Sequence, residues 1–400
     1  MVGAAQAAEP IKIGFGMAQT GPLAAIGKAA LVSMKIWEEE TNAKGGLIGR
    51  PVKLIYYDDQ SNGSTVPGIY TKLLDVDKVD IAVSGYATNM IAPAMPIMIQ
   101  KNRTFLSLFG MEVNKEFKYP KYFSMVPLGP DGGASFATEF FNVAATLNPK
   151  PQTVALVGAD AEYPHKALDG ARRAAKAAGL KIVYDKTYPP PPATTDYSPI
   201  LRAIQATNPE LIFVASYPAD SVGMVRAANE IGLKARMFGG GMVGLQATPI
   251  KTQLGPLLNG IVNYDFWIPA PTMNFPGVHD FLKKYQAKAP SEGVDLLGYY
   301  LPPFAYAYLQ ILGQAVESAK GVDQEKLAAA LRSNTFKTIV GDIKFGKDGE
   351  WDKGRVILVQ YNGVKGNDLE QFRGMDTIKI LGPAQFKTGE MLAPYQEAKK

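Results

Sequence analysis

Ile11-Lys12-Ile13-Gly14-Phe15-Gly16-Met17-Ala18-Gln19-Thr20-Gly21-Pro22, continued as far as Asp59, is the stretch whose reading decides the fold. Ile11, Ile13 and Phe15 alternate with Lys12, Gly14 and Gly16, the period of two expected of a strand with one buried face. A turn cluster follows, in which Thr20 is placed to cap a helix. From Leu23 to Asn42 apolar residues recur at helical spacing (Ile26, Ala30, Met34, Trp37), with Glu38, Glu39 and Glu40 on the other side. Gly45-Gly46 ends the helix, because glycine accepts the left-handed conformation of a C-terminal cap. Val52, Leu54 and Tyr56 then form a second strand that closes on Tyr57-Asp58-Asp59. Strand, helix and strand in this order make a βαβ unit, with a parallel sheet and a right-handed crossover.

Outward from that unit the pattern continues. Strands are predicted over 78–85, 104–108 and 122–126, with a helix over 69–77 and another from Asn89. Pro93 suits a first turn, whereas Pro96 predicts an irregular helix. Leu128 to Gly133 reads as a turn-rich joint, after which the pattern starts again. Strands are expected at 154–158, 182–185, 211–216, 235–238 and 261–266, and helices at 166–178, from 195 and at 221–231. Three helices follow (277–288, 300–319, 324–333), then a strand over 336–345 and a hairpin turn at Gly346-Lys347-Asp348-Gly349 flanked by 343–345 and 356–360. The last thirty-five or so residues show little periodicity and read as a surface tail. The fold class is therefore α/β: two lobes of parallel sheet flanked by helices, joined by three crossovers. The expected division is 9–126 with 267–342, and 127–266 with 343–400.

Composition narrows the function. The 400 residues carry a net charge of only +5 and no basic cluster interleaved with aromatics, which argues against a nucleic-acid partner. No run of eighteen apolar residues is present to span a membrane. Cysteine is absent, so thiol nucleophiles, disulfides and zinc–thiolate sites are excluded. Residues 1–8, with an Ala-x-Ala pattern ending at Ala7, read as the tail of a secretory signal or as a linker.

The wording of the opening unit is specific. Thr20-Gly21-Pro22-Leu23-Ala24-Ala25-Ile26-Gly27, then Thr41-Asn42-Ala43-Lys44-Gly45-Gly46-Leu47-Ile48-Gly49-Arg50-Pro51-Val52, then Tyr57-Asp58-Asp59, resembles the periplasmic solute-binding proteins of ABC importers, in the branched-chain amino-acid (type I, leucine-binding) group. The run Thr195-Asp196-Tyr197-Ser198 is similar to a helix opening of the same family. The resemblance implies a periplasmic protein without enzymatic activity or cofactor. Its partners would be a small-molecule ligand and the permease and ATPase subunits of an importer. A ligand-sensing module of the same fold is the alternative role.

Catalytic motifs come close and fail. Gly14-Phe15-Gly16 has Gln19 where a dinucleotide turn needs its third glycine, and Gly21 to Gly27-Lys28 has the wrong spacer for a phosphate loop. His165 and His279 stand apart from any metal spacing, and no nucleophile elbow occurs. Asp58-Asp59 reads as a solvated turn and helix cap.

In open parallel sheets ligands bind beyond the carboxyl ends of the strands. That rule selects Met17 to Ile26, Tyr86 to Asn89 and Phe109 to Met111 from one lobe, and Asp160 to His165, Ser216 to Asp220 and Gly239 to Gly244 from the other. The candidate ligand residues are Ile26, Tyr86, Thr88, Asn89, Phe109, Gly110, Met111, Tyr163, Tyr217, Gly241 and Met242. The resemblance implies a threonine donor in the loop matching Phe109 to Met111, where this chain has Gly110 and Met111. It also implies a glutamate for a ligand ammonium at the position of Gly241, and no acid occurs from Phe238 to Thr248. A buried ammonium without a carboxylate costs several kcal/mol. An aromatic carboxylate is therefore the expected ligand, with a branched-chain amino acid or an amide as the alternative.

Overall fold

In the computed structural model, which describes residues 8–399, the strands in chain order are β1 (Ile11–Met17), β2 (Val52–Asp58), β3 (Ile81–Ala82), β4 (Phe105–Ser107), β5 (Tyr122–Ser124), β6 (Thr153–Ala159) and β7 (Lys181–Tyr188). They continue with β8 (Leu211–Ser216), β9 (Met237–Met242), β10 (Val262–Asp265), β11 (Thr335–Thr338), β12 (Gly341–Lys344), β13 (Ile357–Tyr361) and β14 (Ile378–Gly382). The chain forms two units. One holds the residues up to Val126 with Phe275–Val294 and Leu301–Asp352; the other holds Pro127–Asn274, Asp295–Tyr300 and the residues from Lys353 on. The chain thus rejoins the first unit at Phe275 rather than 267, makes a short excursion at Asp295–Tyr300, and leaves finally after Asp352 rather than 342. The reading of 1–8 as a signal remnant concerns residues that, apart from Ala8, lie outside the described ones.

In the first unit β1 lies between β2 and β3, parallel to both, in register from Ile11↔Val52 to Met17↔Asp58. The predicted strand over 78–85 is only two residues long, and Val83 carries the order onward through a parallel bridge to Leu106. The helix Ala24–Ala43 buries Ile26, Ala30, Met34 and Trp37. Glu38 on its flank accepts from the Leu54 amide at 2.7 Å, tying the helix to β2. Thr20 does not cap this helix. Its hydroxyl donates to Asp58 at 2.7 Å, and Asp58 also accepts from the amides of Gln19 and Gln60 at 2.9 and 2.8 Å. Asp59 is 1% exposed, and burial, with Asp58 beside it, pushes its carboxyl up to about 6. Asp59 is thus buried rather than solvated, whereas Asp58 stays partly exposed and clasps the loop. Two prolines without amide hydrogens split the next helix into Thr88–Ile91, a tight turn at Ala92–Ala94, and Met95–Gln100. The strand predicted over 336–345 is a hairpin instead, β11 paired with β12 from Thr335↔Lys344 to Thr338↔Gly341.

In the second unit the sheet order is β14-β13-β10-β9-β8-β6-β7. It is parallel from β10 to β7, and β13 and β14 run antiparallel. The segment 356–360 therefore pairs with β10, not with 343–345, and the tail supplies β14 as an edge strand. Gly132–Ala144, expected as part of a joint, is a helix whose first turn Asp131 caps by accepting from the Ala134 amide at 3.2 Å. It packs against the helix Glu162–Ala177 so closely that a Cβ on Gly170 would stand 1.7 Å from the Gly133 carbonyl oxygen. Only glycine fits such a contact.

Candidate ligand-binding site

In the first unit the strand ends bring Tyr86, Thr88, Phe109, Gly110 and Met111 together. Tyr86 and Phe109 form a parallel bridge, and the Thr88 hydroxyl accepts from the Met111 amide at 3.1 Å. That amide is thus spent inside the protein, and the Thr88 hydroxyl proton is what this pair can still give to a ligand. Ala87 before it has φ of 86°, a strained conformation for alanine that sets Thr88 at the start of its short helix. Asn89 follows in that helix and is half-buried. The Phe109 ring packs on Phe304, centroids 5.2 Å apart. A side chain at Gly110 would be crowded: a Cβ would meet the Ile91 side chain at 2.9 Å and that of Val113 at 3.0 Å, so these would have to shift. Ile26 is buried in the first turn of its helix.

In the second unit Tyr163, Tyr217, Gly241 and Met242 meet. Tyr163 donates its hydroxyl to the Gly241 carbonyl at 2.8 Å, and its ring lies 5.7 Å from that of Tyr217. Gly239 to Gly241 belong to β9 rather than to a loop, and φ of +133° and +107° at Gly239 and Gly240 distorts the strand there. Beyond Gly240 the ladder with β10 lapses, and the Asn263 carboxamide replaces it. Asn263 accepts from the Met242 amide at 2.9 Å and donates to the Met242 carbonyl at 2.8 Å.

Sequence reasoning missed the rings that complete this wall. Phe136 lies 5.4 Å from Tyr163 and 4.4 Å from Tyr264. Tyr264 in turn packs on Phe266 at 5.2 Å, and its hydroxyl meets that of Tyr300 at 2.8 Å. All four added rings are at most 5% exposed. The helical recurrence of Phe136, Ala137, Phe140 and Phe141 behind Asp131 was the available signal for the first of them.

The acids near this wall are committed elsewhere. Asp220 is fully buried, accepting from the Tyr197 hydroxyl at 2.9 Å and the Tyr217 amide at 3.3 Å. Burial raises its carboxyl, with those two bonds pulling the other way. Asp160 pairs with His165 Nε2 at 2.8 Å on the surface. Among the described residues no cluster of three or more His, Cys, Asp or Glu could hold a metal ion, and no helix is long and apolar enough to cross a membrane.

Residues 10–366 match the sequence profile of the periplasmic binding proteins. Leu/Ile/Val-binding protein homolog 7 of Brucella abortus is 24% identical over 377 residues, covering 91% of this chain and 92% of that protein. Among solved structures, the branched-chain amino acid transporter substrate binding protein LivJ from Streptococcus pneumoniae in complex with isoleucine is 18% identical with a TM-score of 0.75, over 96% of this chain and 100% of that one. The ABC-transporter solute binding protein from R. palustris in complex with benzoate is 16% identical, also with a TM-score of 0.75, over 89% and 94%. At these identities the two structures show a shared fold.

Proposed function

This chain belongs to the periplasmic binding protein family, with its type I fold, and from that premise we propose that it is an extracytoplasmic solute-binding protein for a small aromatic carboxylate. It would capture the ligand and deliver it to the permease and ATPase subunits of an ABC importer. It is read as a binder and not an enzyme because its family is one of solute-binding proteins.

The observation that carries the ligand class is the filled space at Gly241. A Cβ there would meet the Val214 carbonyl oxygen at 3.0 Å, the Tyr163 hydroxyl at 3.2 Å and the Phe136 ring at 3.3 Å. An acidic side chain there would need its neighbours to give by a few tenths of an ångström, and two of those neighbours are the Tyr163 and Phe136 rings. Tyr163, Tyr217 and the rings behind them suit a flat apolar body, and the Thr88 hydroxyl with the Asn89 side chain suits a carboxylate. The benzoate-bound neighbour supports this reading. The Leu/Ile/Val-binding relative and the isoleucine-bound neighbour favour the second reading, a branched-chain amino acid. Isothermal titration with benzoate and with leucine separates them. Saturable binding of benzoate without leucine supports the proposal, and the reverse result overturns it.

A further inference from the structure

Between β9 and β10 of the second unit the sheet parts, and two buried carboxamides bridge the parting. β9 stays paired with β8 as far as Ser216↔Met242, but with β10 only at Val262↔Gly239 and Asn263↔Gly240. Asn263 and Gln246 are 0% and 1% exposed. The Asn263 carboxamide takes both main-chain groups of Met242, the amide at 2.9 Å and the carbonyl at 2.8 Å. Gln246 Oε1 accepts from the Gly244 amide at 2.9 Å, and its Nε2 donates to the Tyr264 carbonyl at 3.0 Å. The same Nε2 reaches the Met242 carbonyl at 3.4 Å, so Gln246 links the end of β9 to β10.

Strands that part inside a core leave main-chain amides and carbonyls without partners, at a cost in stability. Here two neutral carboxamides, each with a donor and an acceptor, supply those partners. A continued ladder would instead draw the strands to the ~4.8 Å spacing of paired neighbours. The parting lies at the candidate ligand wall, with Gly241 and Met242 on one side and Tyr264 on the other. Phe136 stands against both sides. Its ring is 3.3 Å from where a Cβ on Gly241 would be, and its centroid lies 4.4 Å from that of Tyr264. The separation of β9 and β10 therefore sets how Tyr264, whose hydroxyl meets that of Tyr300, stands relative to Gly241 and the Tyr163 hydroxyl bonded to it.

We infer that Asn263 and Gln246 are positioning residues for ligand binding, whose carboxamides hold β9 and β10 at the separation that presents Tyr264 beside Gly241 in the aromatic wall. The inference rests on the reading of that wall as part of the ligand site. Each carboxamide needs both its atoms, the oxygen for an amide and the nitrogen for a carbonyl. Asn263→Asp tests that requirement at nearly constant shape. Its ionised carboxyl can accept from the Met242 amide but meets the Met242 carbonyl without a hydrogen, whereas its protonated form can donate one.

The experiment compares wild type, Asn263→Asp, Asn263→Ala and Gln246→Ala, with two readouts: benzoate affinity at pH 5 and pH 8, and amide hydrogen exchange of the ligand-free proteins at pH 7. Asn263→Asp should bind benzoate as wild type does at pH 5 and about tenfold more weakly at pH 8. Dividing by the wild-type affinity at each pH removes the titration of Asp265, which both proteins share. Met242 exchange should be about tenfold faster in Asn263→Ala, and Gly244 exchange about tenfold faster in Gln246→Ala, each measured against Ile212 within β8 so that a loss of global stability does not count. An affinity ratio that stays constant with pH overturns the inference, as do Met242 and Gly244 amides that exchange like wild type relative to Ile212. Should Asn263→Asp not fold at pH 8, the benzoate affinity of Gln246→Ala decides, expected about tenfold below wild type. If benzoate does not bind wild type, the ligand class proposed above has failed, and exchange alone decides the role of the two carboxamides.

Discussion

The Tyr163 hydroxyl and the Gly241 carbonyl are joined by a 2.8 Å hydrogen bond within the second unit, and this bond holds the hydroxyl 3.2 Å from where a Cβ on Gly241 would stand. Tyr163→Phe removes the donor and leaves a buried carbonyl unsatisfied. Stability should fall by about 1–3 kcal/mol in urea denaturation. Removing the ring in Tyr163→Ala should also weaken benzoate binding by roughly 1–3 kcal/mol by calorimetry. Unchanged affinity in Tyr163→Ala would make the ring structural.

Beneath Tyr217, Gly223 makes room for Tyr197. A Cβ there would stand 2.2 Å from the Tyr197 ring, which carries the hydroxyl that bonds Asp220. Gly223→Ala should therefore destabilise the protein by about 1–3 kcal/mol through overpacking, despite alanine's better helix propensity. A stability gain would show that Tyr197 can retreat without loss.

The sequence revealed those parts of the fold whose cause is local. The alternation of Ile11, Ile13 and Phe15 and the helical spacing from Ile26 to Trp37 each depend on one face being buried, and both elements stand where the spacing put them. Other features are set by partners remote in the chain. Thr20 had the chemistry of a cap, but Asp58, thirty-eight residues on, takes its hydroxyl. Glycines beside Asp131 disguised the helix Gly132–Ala144 as a joint, because local glycine content cannot report that Gly133 meets Gly170. The candidate site divides in the same way. Strand ends named Tyr163, Tyr217 and Gly241, whereas Phe136, Tyr264, Phe266 and Tyr300 join them only through tertiary packing.

Stability should depend on pH through Asp265 at the end of β10. Burial pushes this carboxyl up to about 7, with the Lys251 ammonium and the amides of Phe266 and Trp267 pulling the other way. Between its ordinary value of 3.8 and about 7, the folded protein keeps a proton that the unfolded chain has lost. The contribution to stability accordingly declines as pH rises through that window and levels off above it. Asp265→Asn should flatten the curve of melting temperature against pH from 4 to 7. Parallel curves for mutant and wild type would place the titration elsewhere.

Ligand class should show directly in thermal shift. Benzoate-, cinnamate- or phenylacetate-like acids at 100 times their dissociation constant should add about 2.7 kcal/mol of stability. Leucine, isoleucine and valine at the same concentrations should add nothing measurable. If only the branched-chain amino acids protect, the filled position at Gly241 does not decide specificity.

The contact between Gly133 and Gly170 also constrains how this protein can diverge. Phe136 rides on one of the two helices and Tyr163 on the other, and backbone touches backbone between them. A lineage acquiring a new solute can exchange either ring in a single mutational step. It cannot widen the gap between them the same way, because any larger residue at Gly170 meets the opposing main chain first. Selection for a bulkier ligand must then act by trimming the rings, with the spacing of the two helices inherited unchanged.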